Sequence, residues 1–322
     1  MLFFRRYVPK HYKETMKIAL LSDYSIEEYK KYEREKYWST PKGIYDAFLV
    51  DERISQIRWY PIPRGNEYGF IELKKQYDSG EFIPDIIFYM SCGIANADKF
   101  FNKENFPKSK LVVDCGDEPQ TFHYNQERTK NADLILTPDV DCYLNYKSKG
   151  YDVIFTSHWT DSNIFYPSLT DYQPFDVVTS MYGDDYSERG KYTSYLQEKL
   201  GNSFYLKNNL KDIENGDLYR NGKIVFQKAR VGEITRRIFE GMSCKKLVIT
   251  DRLPENKQLS EIFIEDKEIV FYDSKEEALE KINYYLKSSG EREYIAENGY
   301  KKVMDCFTTK NVVEYVITGK DQ

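Results

Sequence analysis

The sequence predicts an α/β protein made of two doubly wound parallel-sheet domains that face each other across a cleft. Short apolar runs alternate with helical segments along the chain, which is typical of βαβ units in a parallel sheet. The length of 322 residues suggests about two domains. A stretch rich in turn-forming residues near the middle, residues 163–174, is typical of a linker between them.

The first half contains six predicted strands, at residues 18–21, 56–61, 85–90, 110–114, 134–136 and 153–156. Helical segments separate them, at residues 26–37, 44–50, 68–77, 120–131 and 140–149. Polar residues follow several strand ends, where parallel sheets bind their ligands. These residues are Asp23, Cys92, Gly93, Asp117, Glu118 and His158.

The second half repeats this alternation without any repeat in the sequence itself. Strands are predicted at residues 175–180, 203–206, 223–227, 247–250 and 268–271. Helices are predicted at residues 212–219, 258–263, 275–287, 291–305 and 311–318, with one more running to about residue 200. We therefore expect a first domain over residues 1–165, a second over 166–305, and a terminal helix in 306–322 that can cross back to the first domain.

Residues 223–251 combine a strand, a glycine-containing loop, an amphipathic helix and a second strand. The loop carries Lys228, Arg230 and Gly232. A helix start with free N–H groups, a glycine and nearby cations can hold a phosphate. An acidic residue one to two turns along the helix could accept hydrogen bonds from ribose hydroxyls. The alternative is an ordinary βαβ unit whose charged residues form a solvated helix face.

Composition excludes several classes of protein. The net charge of −5 argues against a general nucleic-acid binder. No apolar run approaches the roughly 20 residues that span a bilayer. The five cysteines form no CxxC pair and the three histidines are scattered, so we expect reduced thiols in a cytoplasmic protein and no metal cage.

The N-terminal residues 1–17 are basic and aromatic. They lack the apolar core and the cleavage site of a signal peptide. They are expected either to form a loosely held arm or to contact a membrane surface or an acidic acceptor.

The second half contains the runs RRIFEGMSCKKLVITDRLPE, LSEIFIEDKEIVFYDSKEEALEKINYYL and EREYIAENGYKKV. They resemble the C-terminal domain of GT-B glycosyltransferases, and most closely the group-1, spore-maturation-type (CgeB-like) branch. FDVVTSMYGDDYSERGKY resembles the opening strand and glycine loop of that domain, whereas residues 1–105 match only in strand order. The resemblance implies two Rossmann-like domains. The second would mainly hold a nucleotide-sugar donor and the first would mainly hold the acceptor.

The resemblance also implies donor-side roles for particular residues. Glu240 would accept hydrogen bonds from the ribose, and Arg237 and Thr235 would lie close to the diphosphate. A glycine after the domain's first strand would let the backbone approach the donor, and a following basic residue would neutralise phosphate charge. The expected donor-side residues are Gly183, Arg189, Lys191, Gly232, Thr235, Arg237 and Glu240.

Two positions depart from the family pattern. Related retaining enzymes have a second glutamate eight positions before Glu240, but that position is Gly232 here and Glu233 is one residue late. Glu233 therefore either serves after a shift of the loop or suits the positive end of the helix. The family's glycine after the cysteine is Lys245 here. The sequence leaves open whether the reaction retains or inverts the sugar's configuration.

The resemblance implies a reaction without a metal, because fixed cations and helix N–H groups stabilise the departing diphosphate. No Asp-x-Asp lies on a predicted strand-end turn of the second domain. Asp139 and Asp141 have that spacing, but they lie at a predicted helix start in the first domain. We expect no cofactor, and a UDP-sugar as the donor.

In the first domain, His158, Asp117, Glu118 and Asp23 are candidate site residues. His158 either contacts the donor sugar or acceptor, or is a linker histidine that caps a helix. Asp117 or Glu118 could be a general base, although consecutive acids are also typical of a turn followed by a helix start. Asp23 either contacts the acceptor or caps the following helix. With Glu233, His158 and Asp117 form the expected catalytic set.

The leading hypothesis is a metal-independent glycosyltransferase with an unidentified acceptor. The shifted Glu233 and the presence of Lys245 leave open a non-catalytic nucleotide- or sugar-binding module of the same fold. A nucleotide-sugar epimerase of this fold and a two-domain solute-binding protein are further alternatives. The acidic charge balance argues against a nucleic acid as the acceptor.

Overall fold

A computed structural model describes residues 15–22, 39–62, 67–90, 97–181, 187–208, 210–257 and 259–320. The predicted helix at residues 26–37, most of the basic arm and the glycine loop around residue 183 lie outside these ranges. Within them, no helix is both long enough and apolar enough to cross a membrane.

The first domain contains a six-stranded sheet in which all neighbouring strands are parallel. Its strands lie in the order β2-β1-β3-β4-β5-β6. Apolar side chains cover both of its faces. The strands are β1 (Met16–Ser22), β2 (Ile54–Pro61), β3 (Ile86–Tyr89), β4 (Lys110–Asp114), β5 (Leu134–Thr137) and β6 (Val153–Phe155).

The second domain contains a five-stranded parallel sheet, in the order β11-β10-β9-β7-β8. Its strands are β7 (Phe175–Ser180), β8 (Phe204–Lys207), β9 (Gly222–Gln227), β10 (Leu247–Asp251) and β11 (Val270–Tyr272). In both sheets the second strand of the domain lies outside the first, and the third lies on the first strand's other side. The predicted doubly wound α/β architecture is confirmed, and each sheet has a switch point where ligands bind in such folds.

Helices connect these strands and agree with the predicted positions to within a few residues. The first starts before Pro41 rather than after it, because proline is tolerated in the first turn of a helix. The helices are α1 (Ser39–Leu49), α2 (Tyr68–Asp78), α3 (Phe122–Thr129), α4 (Val140–Ser148), α5 (Glu188–Leu200), α6 (Asp212–Arg220), α7 (Arg236–Ser243), α8 (Leu259–Ile262), α9 (Lys275–Lys287), α10 (Ser289–Cys306) and α11 (Thr309–Thr318).

The chain passes between the domains twice, and the two passages lie side by side. Thr160 and Thr308 form a parallel bridge. The Thr160 N–H donates to the Phe307 carbonyl at 2.9 Å, and the Thr309 N–H donates to the Thr160 carbonyl at 3.1 Å. The apolar face of α11, including Val312 and Val316, belongs to the core of the first sheet. The C-terminal helix therefore packs on the first domain.

A charged contact joins the domains away from these passages. Lys257 Nζ lies 2.8 Å from an Asp139 carboxylate oxygen and 2.6 Å from an Asp141 oxygen. Asp139 also caps α4 by accepting a hydrogen bond from the Cys142 N–H at 3.0 Å. The Asp-x-Asp pair of the sequence thus holds the two domains together in this structure.

Candidate functional site

A cavity of about 420 Å³ lies between the carboxyl ends of the two sheets. The first domain contributes the loops after β4 and β6, and the second domain contributes segments after β7, β8 and β9. The lining residues are Gly116, Asp117, Glu118, Gln120, His158, Arg189, Leu210, Lys211, Asp212, Asn215, Arg230, Glu233, Ile234, Thr235, Arg236, Arg237 and Glu240.

Helix α7 forms much of the second-domain wall. Its apolar residues are buried against the sheet. At Gly241 a Cβ atom would lie only 3.0 Å from a Val248 methyl and 3.1 Å from a Val225 methyl. Glycine therefore lets the helix approach the sheet closely, and Arg237 and Glu240 remain on the wall of the cavity.

Thr235 precedes α7 at the N-cap position, with extended backbone angles (φ −115°, ψ 144°). A threonine there commonly accepts a hydrogen bond from the first turn of its helix. Here the side chain makes no cap bond, and its buried Oγ1 has no hydrogen-bond partner among the described residues. The positive end of the helix dipole and a hydroxyl without a partner therefore meet at the cavity.

Glu240 is a buried acid on the wall of this cavity, with 5% of its surface exposed. Burial raises the pKa of its carboxyl to about 7, and the nearby Arg236 and Arg237 oppose the shift. The Nε of Arg236 lies 3.9 Å from a Glu240 oxygen, which is too long for a hydrogen bond. The carboxylate is thus placed to accept hydrogen bonds from a ligand.

Arg189 is a buried cation in the same cavity. Ser187 caps the start of α5 by accepting a hydrogen bond from the Gly190 N–H at 3.1 Å, and this positions Arg189 in the first turn. Its Nε donates to the Lys228 carbonyl at 2.7 Å. Burial and the nearby Arg237 lower the pKa of Arg189 to about 10, so the guanidinium keeps its charge at neutral pH.

Glu233 is bound by its own loop. Its carboxylate accepts hydrogen bonds from the N–H groups of Arg230 at 3.2 Å and Val231 at 2.6 Å. It also lies 3.5 Å from Arg189 Nη2. Gly232 has φ of +81°, a conformation that favours glycine, and it gives the loop its turn. Gly232 does not line the cavity.

His158 reaches the cavity from the end of the first domain. Its Nε2 lies 3.0 Å from the Ile234 carbonyl oxygen. Because a carbonyl only accepts, Nε2 carries the hydrogen and Nδ1 is the acceptor. Burial and the nearby Arg236 lower the pKa of His158 to about 3, so its ring is neutral at neutral pH.

Asp117 and Glu118 both line the cavity, but Glu118 is turned into the first domain. Its carboxylate accepts hydrogen bonds from Asn125 at 2.9 Å, Tyr146 at 2.7 Å and the Thr137 hydroxyl. Burial raises its pKa, and these three donors oppose the shift. Glu118 therefore supports the loop after β4. Because its carboxylate is bound within the first domain, the geometry does not favour its predicted acceptor-side role.

Lys191 does not line the cavity, although it was expected beside the donor phosphates. Its side chain is 58% exposed and pairs with Glu188 at 2.6 Å. Gly183 and Asp23 lie outside the described residues. Among the residues that the structure describes, no group of three or more His, Cys, Asp or Glu side chains could hold a metal ion.

The structure adds residues that were not among the expected site residues. Arg236 interacts with the Thr40 hydroxyl, and Arg230 interacts with the Gln120 amide oxygen, so both side chains cross between the domains. The Arg-Arg pair at residues 236–237 was visible in the sequence. Asn215 at the cavity carried no sequence signal at all.

Comparisons with known proteins agree with this architecture. HepE of Anabaena, solved in complex with UDP-glucose, is similar over 94% of this chain and 99% of its own, with 13% identity and a TM-score of 0.61. Sucrose-phosphate synthase from Thermosynechococcus elongatus is similar over 94% and 98%, with 11% identity and a TM-score of 0.56. A glycosyltransferase from Rickettsia africae is similar over 95% and 100%, with 12% identity and a TM-score of 0.58.

The protein has the GT-B fold. Residues 170–318 also match the family described as glycosyl transferase-like. The search of curated proteins gave no match. The matched region includes β7 to β11 and α7, and therefore the whole second-domain wall of the cavity.

Proposed function

We propose that this GT-B protein is a glycosyltransferase that moves a sugar from a UDP-sugar to an acceptor held against its first domain. The observation that carries the proposal is the buried Glu240 carboxylate, which stands beside a group of arginines in the cavity between the domains. A nucleoside diphosphate has the matching arrangement, since ribose hydroxyls are followed by two phosphates. The glycosyl transferase-like match to residues 170–318 supports the same reading.

Glu240 would hold the ribose. Burial desolvates its carboxyl, and this raises its pKa to about 7. Two ribose hydroxyls would donate to the carboxylate and favour its charged form. A buried acceptor of this kind distinguishes a nucleotide from a simple phosphate, because only the nucleotide brings the hydroxyl groups.

The arginines and the start of α7 would hold the diphosphate. Departure of a nucleoside diphosphate builds negative charge, and fixed donors aimed at that charge lower the barrier. Arg237 is close enough to Arg189 to help lower its pKa. An anion bound between the two guanidinium groups would relieve their mutual repulsion. Thr235 adds a hydroxyl at the positive end of the helix. We propose that these groups neutralise the leaving group without a metal.

His158 and Asp117 would act on the sugar and the acceptor. A neutral imidazole with Nδ1 as an acceptor can bind a sugar hydroxyl, but it is a weak proton donor at neutral pH. Asp117 lies on the first-domain wall, where an acceptor hydroxyl would arrive. We assign Asp117 as the general base and His158 as a binding residue.

We propose a hexosyltransferase of the group-1, CgeB-like type that works in the cytoplasm, on a protein, glycan or other hydroxyl-bearing acceptor. We also propose that residues 1–17 make peripheral contact with a membrane.

The test is incubation of the purified full chain with UDP-hexoses, followed by detection of released UDP and of the sugar product. Donor hydrolysis or transfer that persists in EDTA is the expected result. Complete loss in EDTA, with recovery on adding a divalent ion, contradicts the metal-free mechanism. Conversion of the donor to its epimer identifies an epimerase, and tight binding without any turnover identifies a binding module.

A further inference from the structure

Asn215 of α6 is a buried amide at the cavity wall that lacks a partner. Its side chain is 9% exposed and lines the cavity. Its Oδ1 is buried and has no hydrogen-bond partner among the described residues. Buried side-chain amides are usually hydrogen-bonded, so an amide without a partner on a cavity wall indicates a ligand contact.

Electrostatic contacts place the charged groups of the second-domain wall in an order. The negative charge of Asp212, at the start of α6, helps raise the pKa of Glu240. The positive charge of Arg237 lowers the pKa values of both Glu240 and Arg189. These interactions link Asp212 to Glu240, Glu240 to Arg237, and Arg237 to Arg189, so in this series Glu240 stands between Asp212 and the arginines. In a nucleoside diphosphate the ribose likewise lies between the base and the phosphates.

The two ends of this wall also differ in chemistry. The end around Arg189 and Arg237 is cationic. The α6 end combines the apolar Leu210 with the neutral amide of Asn215, beside the opposite charges of Lys211 and Asp212. A nucleobase has apolar faces and a polar edge, so it suits the α6 end and not the arginine end.

We propose that the start of α6 is the base subsite and that the Asn215 amide contacts the polar edge of a uracil. This inference rests on the proposed function, because it takes Glu240 as the ribose contact. The amide presents an N–H donor and a carbonyl acceptor side by side. The N3–H group of uracil and its neighbouring carbonyl oxygen provide the complementary pair. Asn215 is then a specificity-determining residue of the donor site.

The experiment measures the affinities of the full chain for UDP and CDP by calorimetry, in the wild type, Asn215→Ala and Asn215→Asp. Loss of one neutral hydrogen bond predicts a roughly three- to tenfold weaker affinity for UDP in Asn215→Ala. A carboxylate can accept from the cytosine amine but cannot donate to a uracil carbonyl. Asn215→Asp should therefore lower the UDP-to-CDP affinity ratio by roughly threefold or more.

Asp217→Asn is the control, because Asp217 is on the same helix with its side chain 63% exposed. Its affinities should match those of the wild type. An unchanged UDP-to-CDP ratio in Asn215→Asp overturns the proposal whatever Asn215→Ala does, since a merely structural role weakens both nucleotides equally. A wild type that binds GDP but not UDP also overturns it. Failure of the wild type to bind any nucleoside diphosphate contradicts the proposed function itself.

Discussion

The Nε2 of His158 lies 3.0 Å from the backbone carbonyl oxygen of Ile234, and this contact joins the end of the first domain to the loop before α7. It fixes the ring tautomer and brings the second-domain wall of the cavity against the first domain. Arg236, which lowers the pKa of His158, follows two residues later and also interacts with Thr40 of the first domain. The residues that line the cavity therefore also make contacts between the two domains.

Burial and the nearby Arg236 should keep His158 neutral through the working pH range, even though its hydrogen bond to the Ile234 carbonyl favours the charged ring. Its pKa is lowered to about 3, so it should not titrate between pH 5 and 8. The protein has three histidines, which makes the imidazole nitrogen signals separable by NMR. His158→Asn assigns the signal by its disappearance. A His158 signal that titrates near the ordinary value of 6.5 would contradict this environment.

Glu240→Gln should stabilise the nucleotide-free protein at alkaline pH and should weaken nucleotide binding. The folded pKa of about 7 lies above the ordinary 4.5, so the folded chain holds this proton longer than the unfolded chain. The contribution of Glu240 to stability is thus present at low pH and is lost as pH rises from about 4.5 to 7. At pH 8 the uncharged glutamine of Glu240→Gln should raise the free energy of unfolding above that of the wild type by roughly 1–3 kcal/mol.

Melting temperatures of the wild type and Glu240→Gln at pH 5 and pH 8, without nucleotide, check this prediction. The variant should gain a few degrees at pH 8 and less at pH 5. Equal melting temperatures at both pH values would show that Glu240 is not a desolvated carboxylate.

Glu233 should behave as a positioning residue and not as a nucleophile. Its carboxylate holds the N–H groups of Arg230 and Val231, and a glutamine oxygen can still accept one of these bonds. Glu233→Gln should therefore retain much of the transfer rate, whereas Glu233→Ala should lose roughly tenfold or more through weaker donor binding. Steady-state kinetics separate the two roles. A Gln variant as inactive as the Ala variant, with unchanged KM, would assign Glu233 to the chemistry.

The sequence predicted the sheets because buried parallel strands appear as short apolar runs between helices. It also pointed to several residues that line the second-domain wall of the cavity, since the charged face of α7 is visible in its spacing. It did not separate Arg189 from Lys191. Two residues apart on a helix, they point to different sides, and only the helix start at Ser187 decides which one faces the cavity.

Other parts of the site depend on contacts between distant segments. The three donors to Glu118 come from α3, β5 and α4, so no local pattern shows that its carboxylate is already satisfied. Asn215 became a candidate only when the fold placed it on the cavity wall without a partner. Side-chain direction and hydrogen-bond satisfaction are tertiary properties, and spacing in the sequence does not reveal them.

The central claim is that Glu240 marks the nucleotide site of the second domain, and calorimetry with UDP tests it most directly. Glu293→Ala serves as the control, because this glutamate of α10 is 76% exposed. The account predicts that the wild type and the control bind UDP equally. Glu240→Ala, with its fold intact, should bind roughly 10- to 100-fold more weakly, because hydrogen bonds to a charged group are lost. Unchanged affinity in Glu240→Ala, or no binding of UDP, GDP or TDP by the wild type, would contradict the claim.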